Sequence, residues 1–190
     1  MNSTYNELYK IAEAQGGYFT VTQAKSVGFS PQGLFSLKSN NRFKHITYGI
    51  YRITHYPSSE YEDIMIAVLK SGPKAVVSHD TALAVYQLSD IMPAIIHLTI
   101  PKNRFRGHKE IRYHTARITP KEITNFNGLP ITTVERTITD VIRSGMDATL
   151  IRQAIEQAIQ RGMITKPSLT KQASQYGEKI RNEVNSFLGK

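Results

Sequence analysis

Between residues 1 and 56 the sequence starts and stops helices at spacings so short that only a cluster of small elements fits there. Thr4 with Glu7 three positions on is a capping-box pattern, which satisfies two free amides at a helix start. Leu8, Ile11 and Ala12 then recur at helical spacing until Gly16-Gly17 ends the run. Tyr18 and Phe19 make a short extended piece. Thr20 and Gln23 repeat the capping pattern and open a second helix, which Gly28 closes. Ser30-Pro31 is an N-cap residue followed by proline at the first helical position, where its missing amide costs nothing, so a third helix is predicted over residues 31–39. Two β-rich runs, Phe43-Lys44-His45-Ile46 and Ile50-Tyr51-Arg52-Ile53, flank Thr47-Tyr48-Gly49, a hairpin signal with glycine available for a positive φ. Three helices, the last two joined by a turn at Gly28-Phe29, and then a hairpin have the order and size of a winged helix-turn-helix.

That order selects the side chains to examine for DNA contact. The third helix is the expected recognition helix, with Leu34 and Leu37 toward the core and Gln32, Phe35, Ser36 and Ser39 on the opposite face. Gln32 and Ser36 are the candidates for base edges. Phe35 either touches thymine methyls or packs into the core. Lys25, Lys38, Arg42 and Lys44 are expected to neutralise phosphates, and Tyr48 at the wing tip to reach a backbone or the minor groove. The net charge of +9 favours a polyanionic partner. Its densest cluster lies further on, where Lys102, Arg104, Arg106, Lys109, Arg112, Arg117 and Lys121 face one acid, Glu110. Such a run reads either as a solvated edge or as a second surface for nucleic acid or a partner.

Pro57-Ser58-Ser59 is a polar hinge, so the sequence places a domain boundary near 57, giving residues 1–56 and 57–190. Beyond it come a helix over 60–70, a strand at 75–77, and a helix from Ser78 to about 87. Strands follow at 95–100, 111–114, 123–126 and 131–132, then helices over 134–143, 148–161, 166–176 and 179–188. Strands first and helices later make the fold class α+β. Thr132 and Glu135 make a capping box, and Arg136 with Asp140 stands at i, i+4, so that segment starts a helix firmly and is expected to pin it to the sheet.

Enzyme signatures are lacking in the sequence. Ser78-His79-Asp80 holds the three letters of a hydrolase triad side by side, but a triad needs convergent side chains and neighbours on one backbone point apart, so it reads as a cap and first turn. The six histidines, His45, His55, His79, His97, His108 and His114, show no metal-ligand spacing and are expected to be surface or satisfied structural residues. No phosphate loop or dinucleotide fingerprint occurs. With no cysteine there is no disulfide framework and no thiolate zinc site. No segment approaches the roughly 18 apolar residues of a membrane span. No secretory signal opens the chain, so the cytoplasm is the expected compartment.

Four stretches taken in order resemble a known family. They are residues 43–53 with the tip Tyr48-Gly49-Ile50-Tyr51, Val77-Ser78-His79 leading into Thr81-Ala82-Leu83-Ala84, Leu98-Thr99-Ile100-Pro101, and residues 133–140. The chain is similar to the AbiEi antitoxins of the abortive-infection, type IV, toxin-antitoxin systems. The resemblance implies a winged-helix domain that represses its own operon and a C-terminal domain that counteracts a nucleotidyltransferase-like toxin. It implies no cofactor, and the missing enzyme signatures lead to the expectation that the chain is not an enzyme. The expected partners are operator DNA and the cognate toxin, with a homodimer on DNA as a candidate assembly and no membrane. The competing expectation is a winged-helix regulator whose C-terminal domain senses a ligand or dimerises, with no toxin; a nucleic-acid enzyme is a third.

Overall fold

The computed structural model describes residues 3–30, 32–33, 41–102 and 109–189. Among these, eight α-helices and two sheets make an α+β protein. The chain divides into two compact units, Met1–Ala75 with Asn125–Leu129, and Val76–Thr124 with Pro130–Lys190.

The first unit contains α1 (Ser3–Glu13), β1 (Tyr18–Thr20), α2 (Val21–Ser26), β2 (Phe43–Thr47), β3 (Ile50–Ile53) and α3 (Glu62–Ser71). Helix α1 begins at Ser3, so Thr4 lies inside the first turn and is not the cap that its spacing to Glu7 suggests. At α2 the capping box forms as expected: the Gln23 amide donates to Thr20 Oγ1 at 3.1 Å, and the Thr20 amide donates to Gln23 Oε1 at 2.8 Å. Gly28, at φ +100°, closes α2 with paired bonds, its own amide to Lys25 O at 3.0 Å and the Phe29 amide to Ala24 O at 3.0 Å. Strand β3 runs between the other two, antiparallel to both, in the order β1-β3-β2. Leu8, Ala12, Phe19, Ala24, Phe43 and Ile53 form the core beneath it.

The division falls at 75/76, whereas the sequence reading placed the boundary at 56/57. One arginine accounts for much of the difference. Arg52 Nη2 donates to the carbonyls of Tyr56 and Pro57, each at 2.9 Å, and pairs with Glu62 at 3.2 Å, so the polar segment 57–59 is tied down and α3 belongs with the first unit.

The second unit holds β4 (Val76–Val77), α4 (His79–Val85), β5 (Ile96–Ile100), β6 (Ile111–Thr115), a 3-10 turn (Pro120–Glu122), α5 (Val134–Arg143), α6 (Ala148–Gln160), α7 (Lys166–Ser174) and α8 (Glu178–Phe187). With β7 (Ile123–Phe126) and β8 (Leu129–Thr132) the sheet order is β6-β5-β4-β8-β7. It is a mixed sheet: β5 runs antiparallel to β4 and parallel to β6, and β4 runs parallel to β8. Val77, Leu83, Leu98, Ile131, Ile138 and Ala154 are buried completely. The cap of α5 is Thr133, whose hydroxyl accepts from the Arg136 amide at 3.4 Å, and not Thr132 as the spacing to Glu135 suggests. Thr132 remains in β8, with its hydroxyl 2.7 Å from that of Thr137.

Candidate functional site

The candidate DNA face is built by α2 and the β2-β3 hairpin. The Val21 amide donates to Gly49 O at 2.9 Å, which ties the start of α2 to the hairpin turn. Gly49, at φ +72°, completes a two-residue turn, and a register shift between His45 and Thr47 bends the strand that leads into it. Tyr48 at that turn is 96% exposed, the most exposed large apolar side chain among the described residues. Lys25, Gln32, Arg42 and Lys44 are all exposed. None of those three cations forms an ion pair among the described residues. The Arg42 guanidinium lies over the Tyr5 ring, 5.5 Å from its centroid, a cation–π contact made by the charged group itself. Lys44 is the cross-strand partner of Arg52, yet among the described residues Arg52 is spent on internal bonds and Lys44 is not.

Residues 32 and 33 are helical, and the Gly33 amide donates to Ser30 Oγ at 3.0 Å, the bond expected of an N-cap serine. Phe35, Ser36, Lys38 and Ser39, together with the predicted core positions Leu34 and Leu37, lie outside the described residues. A cleft of about 450 Å³ borders Arg42, lined also by Tyr9, Glu13, Asn41, Ile53, His55 and Tyr56. It holds one fixed charge of each sign, so it offers no net pull on an ion.

Of the second basic cluster, Lys102, Lys109, Arg112, Arg117 and Lys121 are exposed, and Arg104 and Arg106 lie outside the described residues. Arg112 is on β6 and the others flank it.

Two buried polar clusters emerge in the second unit that sequence spacing does not announce. His79, His97 and His114, separated by 18 and 17 positions in the chain, meet because α4 packs on β5 and β6 pairs beside β5. The rings of His79 and His114 stack with centroids 3.5 Å apart, and His114 Nε2 stands 3.3 Å from His97 Nδ1. Ser78 Oγ is 3.0 Å from His79 Nδ1 and accepts from Thr99 Oγ1 at 2.7 Å. Ser78 and His79 therefore do converge, contrary to the expectation from sequence, because His79 takes φ +52° at the first position of α4. Ser78 makes no side-chain cap bond, and Asp80 approaches His97 at 3.7 Å instead of His79. Burial, reinforced by the neighbouring rings, lowers His79 to about 2; burial with His97 and Arg112 lowers His114 to about 4. Burial also lowers His97, against the pull of Asp80. A neutral His79 with so low a pKa is a poor base, and Ser78 is fully buried, so the pair lacks both the base strength and the access that hydrolysis needs. Face-to-face stacking also prevents His79 and His114 from pointing lone pairs at a common ion, and among the described residues no group of three or more such side chains is placed to hold a metal.

The second cluster centres on Arg136, 1% exposed. Its Nε donates to Asp140 Oδ2 at 2.7 Å and its Nη1 to Glu122 Oε1 at 2.8 Å. Glu122 also accepts from Gln172 Nε2 at 2.8 Å, Tyr176 OH at 2.9 Å and the Thr119 amide and hydroxyl, both at 2.9 Å. Burial alone would raise Glu122, but these bonds outweigh it and hold the carboxyl down at about 2. Burial pushes Asp140 up, against Arg136 and Arg143. The network joins the turn before β7 to α5 and α7.

No family model matches the chain, and no curated protein matches it. Among solved structures, that of the RV2827C protein from Mycobacterium tuberculosis is similar, with a TM-score of 0.51 at 9% identity, over 98% of this chain and 78% of that one. At that identity the likeness concerns the fold. No helix among the described residues is long and apolar enough to cross a membrane.

Proposed function

We propose that the first unit is a winged helix-turn-helix that binds duplex DNA, and that the chain is a non-enzymatic cytoplasmic antitoxin which represses its own operon. The observation that carries the DNA reading is the hairpin. An exposed Tyr48 stands at the tip of a strand pair whose outward cation, Lys44, has no ion-pair partner among the described residues, and Arg42, Lys25 and Gln32 are exposed as well. The antiparallel β1-β3-β2 arrangement, with β1 directly between α1 and α2, supports the same architecture. Repression by such a protein is passive occupancy of the operator. The antitoxin part rests on the resemblance to AbiEi proteins, in which the second domain opposes a nucleotidyltransferase-like toxin; a homodimer on DNA fits a two-fold operator.

The test of DNA binding is the salt dependence of affinity for the region upstream of the chain's own gene. Lys25→Ala, Arg42→Ala and Lys44→Ala together should weaken binding to every sequence and reduce the slope of log K against log salt by about 3. Gln32→Ala should leave that slope in place and relax base preference, at about 1–3 kcal/mol for the base pair concerned. A triple variant with unchanged affinity and slope refutes the phosphate assignment. For the antitoxin part, co-expression with the adjacent gene product should restore growth; a chain that fails to do so, yet still binds its operator, is a regulator without a toxin.

A further inference from the structure

Tyr5, Tyr9 and Glu13 recur at every fourth position of α1, a spacing that sets them in a row on one side of the helix. The Arg42 guanidinium lies over Tyr5 at one end of that row, and Glu13 stands at the other. Tyr9 is fixed between them by its packing on Phe43, with ring centroids 5.6 Å apart. The segment after β3 follows the same path: the Thr54 amide donates to Arg42 O at 3.0 Å, and the Tyr56 hydroxyl to Glu13 O at 3.3 Å. The cleft of about 450 Å³ is lined from both sides, by Tyr9 and Glu13 of α1 and by Ile53, His55 and Tyr56. Its volume falls within the roughly 300–1,000 Å³ of small-molecule sites.

Charge decides what kind of molecule fits. Arg42 and Glu13 form no ion pair, with each other or with any other described residue. One charge of each sign attracts no simple ion, but it suits a molecule that carries both. Tyr5 and Glu13 are eight positions apart, which is about 12 Å along a helix axis. A free amino acid has both charges on one carbon and cannot meet the two groups together. An extended tripeptide with free ends spans about 10 Å and can. Tyr9, Tyr56 and Ile53 make apolar walls for a flat side chain in its middle. Asn41 and His55, whose side chains hydrogen-bond to no described residue, are left for the peptide groups between. We propose that this cleft binds a short peptide with free ends, its carboxylate on Arg42, its ammonium on Glu13 and a flat apolar side chain over Tyr9. Arg42 also belongs to the set assigned to phosphate, so peptide and DNA compete for one guanidinium; that consequence rests on the DNA reading, whereas the site does not.

The probe is the tripeptide Ala-Trp-Ala, titrated into the full chain without DNA. The chain has no tryptophan, so the indole fluorescence belongs to the peptide alone. Saturable binding is expected, at least about tenfold weaker when the peptide is N-acetylated or C-amidated. Free L-tryptophan should bind no better than the capped forms. Arg42→Gln should bring the free peptide down to the level of the amidated one and leave the amidated one unchanged. Glu13→Gln should do the same with the acetylated form. A variant that had lost its fold would lose all the peptides alike, and thermal unfolding beside the parent identifies it; the capped peptides on the parent then decide alone. Absence of saturable binding of Ala-Trp-Ala overturns the proposal. So does equal binding of the capped peptides, or a folded variant that holds the free peptide as tightly as the parent.

Discussion

At the scale of single residues, Lys44 and Arg52 carry the clearest lesson. They are cross-strand partners in one hairpin and carry the same charge, but among the described residues only Arg52 has internal work: two carbonyls and Glu62. Arg52→Ala should therefore destabilise the first unit by about 1–3 kcal/mol, whereas Lys44→Ala should change stability by no more than about 0.5 kcal/mol and act on DNA affinity alone. Urea denaturation of the two variants, run beside DNA titrations, separates the roles. Gly17 is the other informative position. It sits at φ +89°, and a Cβ there would lie 2.5 Å from Tyr56 Cγ, so Gly17→Ala combines backbone strain with a clash against a packed ring. A loss of about 2–4 kcal/mol is expected. An unchanged denaturation midpoint would mean that Tyr56 can swing away. The glycine pair was legible in the sequence as a helix stop, but the ring that makes Gly17 irreplaceable comes from a residue across the fold, which no local pattern encodes.

At the scale of elements, capping chemistry read from sequence succeeds where the surrounding chain leaves the cap free to form, as at Thr20, and slips where it does not. Thr132 is the instructive case. Its spacing to Glu135 is right, but its backbone is already committed to β8 and its hydroxyl to Thr137, so the cap passes to Thr133. Helix α5 then owes its position to Arg136. The i, i+4 pair with Asp140 was visible in the sequence; Glu122, 14 positions upstream, was not, because only the docking of the 3-10 turn on α5 brings it within 2.8 Å. Arg136→Met leaves two buried carboxylates without their cation and should cost about 3–5 kcal/mol, while replacing Glu122 and Asp140 by Met and Leu in the same chain should recover much of the loss. Recovery absent from the triple variant, as measured by thermal unfolding of all three proteins, would show that Arg136 serves by its packing on Tyr176 more than by its charge.

At the scale of the whole molecule, acid stability reports the two buried clusters. Glu122 has a folded pKa held near 2 against an ordinary 4.5, so its contribution is complete above about 4.5 and disappears as pH falls toward 2. The histidines act earlier. His79 and His114 stay neutral in the folded chain down to about 2 and 4, while the unfolded chain takes up their protons near 6.5, so stability falls as pH drops below 6.5. Each histidine kept neutral contributes a slope of about 1.4 kcal/mol per pH unit in that window. Denaturation midpoints should decline from pH 7 to pH 5 in the parent and decline less in His114→Gln; a flat parent profile rules out the neutral cluster. By itself the sequence determined the first two short helices, the hairpin, the α+β class and the cations available to a polyanion, because capping, turn chemistry and side-chain period act within a few residues. Only the tertiary structure decided that residues up to Ala75, joined by Asn125–Leu129, form the first unit, that three distant histidines share one buried site, and that Arg52 fastens while Lys44 stays outward. Those outcomes depend on which surfaces of separate elements exclude water together, and such contacts join positions whose separation along the chain carries no periodic signal.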